Sequence, residues 1–229
     1  VHFAVTTGPD SYIHLMDYFR QDGLVYTLVP VKNVVKPEDQ EDNFFFTMMT
    51  YGSMDPDFMY DLVMNTFDYS TLLRNNVYYD ETSRRPITTY RTVFLRTALE
   101  LHRAGKNKKA LEVIDKCYEV VSEDVIPYDL SVLPGIMIYF KLGEKDKAAQ
   151  LARRMLEKYG EEFDYYSSYK PSKRDIVSAE IDNLYRAVLY IYRQCTNYDQ
   201  KDVLAEAEML LSRIQPVSSF NQQQMPVGQ

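Results

Sequence analysis

Arg103-Ala104-Gly105-Lys106-Asn107-Lys108 and Lys141-Leu142-Gly143-Glu144-Lys145-Asp146 decide the fold, because each is a polar glycine turn set between two apolar patterns of helical period. Setting Ala110 against Ala148 also aligns Tyr90 with Tyr128, Gly105 with Gly143 and Lys109 with Lys147, an offset of 38 residues. From Arg91 to Met155 the chain therefore reads as two helical hairpins in succession. Spacing of this kind describes a scaffold and specifies no reaction.

The turns resemble those of tetratricopeptide repeats, which pair two helices in about 34 residues with a small residue where they approach. Phe94, Ala98, Leu101, Ala110, Ile114 and Cys117 fall at the framework positions of one copy, and Val132, Ile136, Tyr139, Ala148, Ala152 and Met155 at those of the next. Pro134-Gly135 lies early in the second copy, and proline is tolerated only in a first turn, so that helix is expected to start near Ser131. The extra residues of the period fit in the link Ser122 to Asp129, where Pro127 stops the preceding helix.

With 229 residues and 45% apolar content, the chain can bury a sizeable core. Its 26 basic against 33 acidic residues leave a formal charge of -7, which argues against a nucleic-acid surface. No run of 18 apolar residues occurs, so no direct membrane insertion is expected. Cys117 and Cys195 sit on apolar helical faces and read as buried free thiols. The chain opens on Val1 to Thr7 without an initiator Met or signal peptide, and reads as a piece of something longer.

In order, Val1 to Thr7 predicts a strand, Tyr12, Leu15, Met16 and Phe19 a helix stopped by Gly23, and Leu24 to Val31 a second, parallel strand, together a βαβ unit. Asn33 to Asn43 reads as a surface loop and Phe44 to Thr50 as a short strand, before Asp55-Pro56 starts a helix carrying Met59, Leu62, Val63 and Phe67. A connector, Asp68 to Pro86, leads into the repeats. Tyr165, Tyr166 and Tyr169 are placed on a loop around Pro171, Ser172 and Asp175 cap a long helix, and Asp199 caps a last one reaching Ile214. The expected architecture is mostly α: an α/β segment over 1–70, a tetratricopeptide-like helical array over 71–215 and a frayed tail over 216–229.

The chemistry-bearing residues are sparse. His2, His14 and His102 are scattered, so neither a metal nor any other cofactor is expected, and Gly8-Pro9-Asp10-Ser11 reads as an ordinary turn rather than an anion cradle. The 20 Tyr and 11 Phe are more informative, since tyrosine joins a flat apolar ring to a hydrogen-bonding tip. Tyr78, Tyr79, Asp80, Glu81, Arg84 and Arg85 form the densest mixed cluster, at the junction of the two expected parts, and are the candidate partner-binding residues.

Several stretches in order along the chain resemble the soluble C-terminal region of a family of bacterial multi-spanning membrane proteins of unknown function related to protein O-mannosyltransferases. They are Phe3-Ala4-Val5-Thr6, Asp17-Tyr18-Phe19, Gly23-Leu24-Val25-Tyr26, Leu28-Val29-Pro30, Met59-Tyr60-Asp61, Met64-Asn65, Tyr79-Asp80-Glu81 with Arg84-Arg85, and Ala110-Leu111-Glu112-Val113 with Cys117. The Asp55-Pro56 helix start and the acidic loop at 36–43 depart from that pattern. The resemblance implies a parent with an N-terminal membrane domain of lipid-sugar-dependent glycosyltransferase type, with this region on the extracytoplasmic, periplasmic face. Catalytic residues of such parents lie in the membrane part, so this fragment is expected to be a non-catalytic accessory domain that holds acceptor polypeptide or braces its own N-terminal membrane domain. A free-standing repeat adaptor and a small-molecule enzyme with a pocket at the junction are the alternatives.

Overall fold

Gly23, at φ +68°, makes the turn that shapes the N-terminal region, because a two-residue hairpin loop needs a residue that accepts positive φ. It joins β2 (Phe19–Asp22) to β3 (Val25–Leu28), which pair antiparallel, and β1 (His2–Ala4) pairs antiparallel on the other side of β3. A short β4 (Ser53–Met54) adds parallel to β2, giving the order β1-β3-β2-β4. The computed structural model describes residues 1–33, 52–74, 77–169 and 176–214. The expected loop over 34–43, the strand at 44–50, the Pro171 loop with its Ser172 and Asp175 cap, and the tail from Gln215 lie outside them.

The expected βαβ unit is therefore corrected to a sheet built on a hairpin. Residues 9–18 form two 3-10 turns, Pro9–Tyr12 and Met16–Tyr18, separated by Ile13 and His14 at φ +50° and +59°. Tyr12, Phe19 and Tyr26 recur every seven residues and are buried together with Phe3 beside them. Phe19 stacks on Tyr26 at 5.4 Å and meets Tyr12 edge-on at 5.2 Å, and Leu15 and Met16 pack against them, so the helical spacing of Tyr12, Leu15, Met16 and Phe19 marks the contacts of an aromatic cluster.

Asp55-Pro56 starts a helix as expected. Oδ1 of Asp55 accepts from the N–H of Asp57 and Phe58 at 3.0 and 3.2 Å, and α1 (Pro56–Asp61) continues into a π-helical turn, Leu62–Thr66. Then α2 (Glu81–Arg103) runs through Pro86, so the connector ends at Asp80 rather than at Pro86. It is followed by α3 (Asn107–Val120), a 3-10 turn at Leu130–Val132, α4 (Leu133–Lys141), α5 (Lys145–Ser167), α6 (Ser178–Asn197) and α7 (Lys201–Arg213). Tyr165 and Tyr166 thus lie on α5 and not on a loop. Asp199 does not cap α7: it takes φ +54° in the turn, and Gln200 precedes the helix.

All twelve positions assigned to the repeat framework are buried, Ala110 and Ala148 completely so. The two turn glycines match in backbone, Gly105 at φ +74° and Gly143 at +85°. By its contacts the chain divides into two units, Val1–Gly143 and Glu144–Gln229, which meet at the second glycine turn. In the first, α2 packs along α3 and also meets α1 and α4; in the second, α5, α6 and α7 pack on one another.

Candidate functional site

The candidate cluster begins where α2 begins. Asp80 is extended (φ -68°, ψ 171°), and its Oδ1 accepts the Ser83 N–H at 2.7 Å, satisfying one donor that every helix start leaves open. That backbone bond, with the Arg84 charge nearby, holds the Asp80 carboxyl below the usual carboxylate range. Glu81 fills the first turn, where negative charge suits the helix dipole. One turn on, Arg84 donates through Nε to the Tyr79 carbonyl at 2.9 Å, and its guanidinium lies 5.9 Å from the centre of the Tyr78 ring. The structure therefore joins Tyr78, Tyr79 and Arg84 and gives Asp80 the cap, while Glu81 and Arg85 are exposed beside them.

Tyr78 is 83% exposed, an unusual position for a ring of that size. Tyr79 instead turns back, its hydroxyl donating to the Thr71 carbonyl at 3.2 Å. It forms part of one wall of a groove of about 590 Å³, with Leu73 and Val77. Leu73, Val77 and Tyr78 are all exposed large apolar side chains within six residues. The opposite wall comes from the end of α3 and the link after it: Glu119, Ser122, Asp124 and Val125.

That second wall is fastened to a residue the sequence reading passed over. Arg91 is completely buried, and its guanidinium donates to the Val121 carbonyl at 3.2 Å, to Ser131 Oγ at 2.9 Å and to Asp129 Oδ1 at 3.4 Å. It also faces the Tyr128 ring at 5.2 Å. One cation on α2 thus grips the link at both ends, so Ser122, Asp124 and Val125 are held between two fixed points. Its Nε has no hydrogen-bond partner, a cost that marks the site as tightly constrained. The signal was in the sequence: Arg91 precedes Phe94 by three and Ala98 by seven residues, which puts a charge on the buried stripe of α2. The groove residues carried no comparable signal, because Leu73, Val77 and Tyr79 meet Ser122, Asp124 and Val125 only through the fold.

Neither thiol is set up for chemistry at neutral pH. Burial pushes Cys117 up to about 12 and Cys195 up to about 11, so both remain protonated and free, as expected for packed cysteines. His2 shares a hydrogen bond with Thr27 Oγ1 at 3.0 Å and His102 with Asn107 Oδ1 at 2.8 Å. Among the described residues no group of three His, Cys, Asp or Glu is placed to hold a metal ion, and no helix is long and apolar enough to cross a membrane. Gly8 is extended and precedes a four-residue 3-10 turn, Pro9–Tyr12. Comparison with family models, curated proteins and solved structures finds no match to this chain.

Proposed function

We propose that this chain is a non-catalytic recognition domain with tetratricopeptide-like hairpins, on the extracytoplasmic face of a multi-spanning, glycosyltransferase-like parent, where it holds acceptor polypeptide against the membrane part. The observation that carries the reading is the exposed Tyr78 ring on the Arg84 guanidinium, in sequence between Val77 and Tyr79, which line a groove of about 590 Å³. Aromatic and arginine side chains beside exposed aliphatic ones are the usual anchors of polypeptide partners. The backbone around them is already ordered by the Asp80 cap and the Arg91 contacts, so a partner would pay little to organise its site.

Titration of unstructured Ser/Thr-containing acceptor peptides against wild type and a Tyr78→Ala, Arg84→Ala double variant tests this reading. Loss of binding at unchanged melting temperature is the expected result. Equal affinity for both proteins would remove the site from consideration, and transfer of a sugar by the purified chain alone would overturn the non-catalytic assignment.

A further inference from the structure

Gly160 is hard to explain as a packing residue. It lies well inside the 23-residue helix α5, where glycine is the poorest choice after proline because of the backbone freedom it gives up. Glycines are kept in helices where another element comes too close for a side chain. Here an added Cβ would meet only Leu210 Cδ1, at 4.0 Å, which is ordinary contact. What the missing side chain leaves is open space, a cavity of about 370 Å³ between α5 and α7.

The floor of this groove is apolar, with Leu156 and Leu210 buried beneath it, while Met209 stands 65% exposed on its wall. Methionine is the side chain that best adapts to the shape of an incoming apolar surface. The rim is acidic: Glu157, Glu161, Asp164 and Glu206 stand against Arg153 and Arg213. Both guanidinium groups are already engaged, Arg153 with Glu206 at 3.0 Å and Arg213 with Asp164, and Arg213 also covers the Phe163 ring. Glu157 is paired as well, with Arg154 at 2.6 Å, so the rim keeps an excess of one negative charge, with Glu161 outside these three ion pairs.

We infer that the α5–α7 groove is a docking site for an amphipathic helix of a basic partner polypeptide, its apolar face on Met209 and Leu156 and its Lys or Arg residues on the acidic rim. The groove follows α5 from Arg153 to Asp164, roughly 16 Å at the helical rise, which fits a partner helix of about three turns. Laying a third helix between two is how helical arrays extend and how grooved domains take helical ligands. Two other occupants suit the site less well. The chain's own tail, Gln215 to Gln229, contains no lysine or arginine, and a second copy of this chain would bring a formal charge of -7 to an acidic surface.

The test uses the full chain and two fluorescent amphipathic probe peptides with the same leucine positions, one with lysine and one with glutamate on the polar face. Fluorescence anisotropy should show binding of the lysine peptide, weakened by added salt, and none of the glutamate peptide. Gly160→Leu fills the groove and favours the helix, so it should weaken the lysine peptide by roughly tenfold or more while melting no lower than wild type. Glu161→Lys, a surface change that leaves packing untouched, should weaken it as well. Failure of wild type to bind the lysine peptide would overturn the inference, as would undiminished binding to Gly160→Leu or equal binding of the two peptides. So would a gain in affinity on removing residues 215–229, which would make the tail the occupant.

Discussion

Gly52 and Gly135 pose the same geometric problem in two parts of the first unit, and the parts differ in how they can answer it. A Cβ added at Gly52 would come 1.9 Å from the Phe19 carbonyl oxygen, and one added at Gly135 would come 1.8 Å from the Tyr118 hydroxyl. In the sheet region the obstacle is backbone, fixed by the β2–β3 and β2–β4 pairings. In the helical region it is the far end of a half-buried side chain, which can be shortened by substitution. At Gly52 the close approach is thus fixed by backbone, whereas at Gly135 it is set by a side chain that can be exchanged for another.

The largest effect is expected at Gly52. Its φ of +73° already disfavours any other residue, and its carbonyl accepts Arg96 Nη2 at 2.6 Å, which ties the sheet to α2. Gly52→Ala should cost about 4 kcal/mol or more, measured by urea unfolding, because strain and backbone overlap add. No single second-site substitution should restore it, and a stable Gly52→Ala protein would show that the sheet edge relaxes after all.

Gly135→Ala should cost less, about 1–3 kcal/mol, since overpacking is partly offset by the better helix propensity of alanine. Here a partner change should help. Tyr118→Phe removes the clashing oxygen at the loss of one hydrogen bond to the Val132 carbonyl, at 3.2 Å, so the double variant should be more stable than Gly135→Ala alone. A double-mutant cycle reads the coupling directly, and strict additivity would erase the contrast with Gly52.

Arg91→Lys probes the helical side at its polar point. A lysine keeps the charge but cannot reach Val121, Ser131 and Asp129 together, so a loss of about 1–2 kcal/mol is expected from the abandoned hydrogen bonds. Hydrogen exchange should accelerate over 121–131 before it does in α2 or α3. Uniform acceleration across the unit would mean that Arg91 supports the whole core rather than the link.

These contrasts explain which parts of the molecule the sequence made readable. The helices follow from periodicity that the fold preserves, with Ala110 and Ala148 at completely buried positions and glycines at both turns, and α2 packs along α3 as the first copy requires. The sheet did so only in part: β1 and β3 fall inside the expected strands, but Tyr12, Leu15, Met16 and Phe19 satisfy a helical stripe and the packing of an aromatic cluster equally well, and only long-range pairing of β2 with β3 decides between them. Likewise the sequence marked out the exposed cluster at Tyr78 to Arg85, but not the groove beside it, whose second wall arrives from residues 119–125 by way of Arg91. Local chemistry is legible one residue at a time, while a concave surface exists only once distant segments have met.

The smallest expected effect lies at Asp80, where the two regions are joined. Its carboxyl is lowered first by the Ser83 backbone hydrogen bond and further by Arg84, so its folded pKa lies below the unfolded value. A group depressed in this way stabilises the protein above the unfolded pKa, and its contribution is lost as pH falls through the folded one. Asp80→Asn keeps an oxygen for the Ser83 N–H, since asparagine caps helices nearly as well, and removes only the charge. Wild type should therefore melt slightly above Asp80→Asn at neutral pH, and the difference should vanish in acid once the carboxyl is protonated. Asp80→Ala, which removes the acceptor too, should remain less stable than Asp80→Asn at both extremes. Melting curves for the three proteins across that range separate charge from cap geometry. If the wild type and Asp80→Asn coincide at every pH, the helix start is held by geometry alone and the Arg84 charge adds nothing to it.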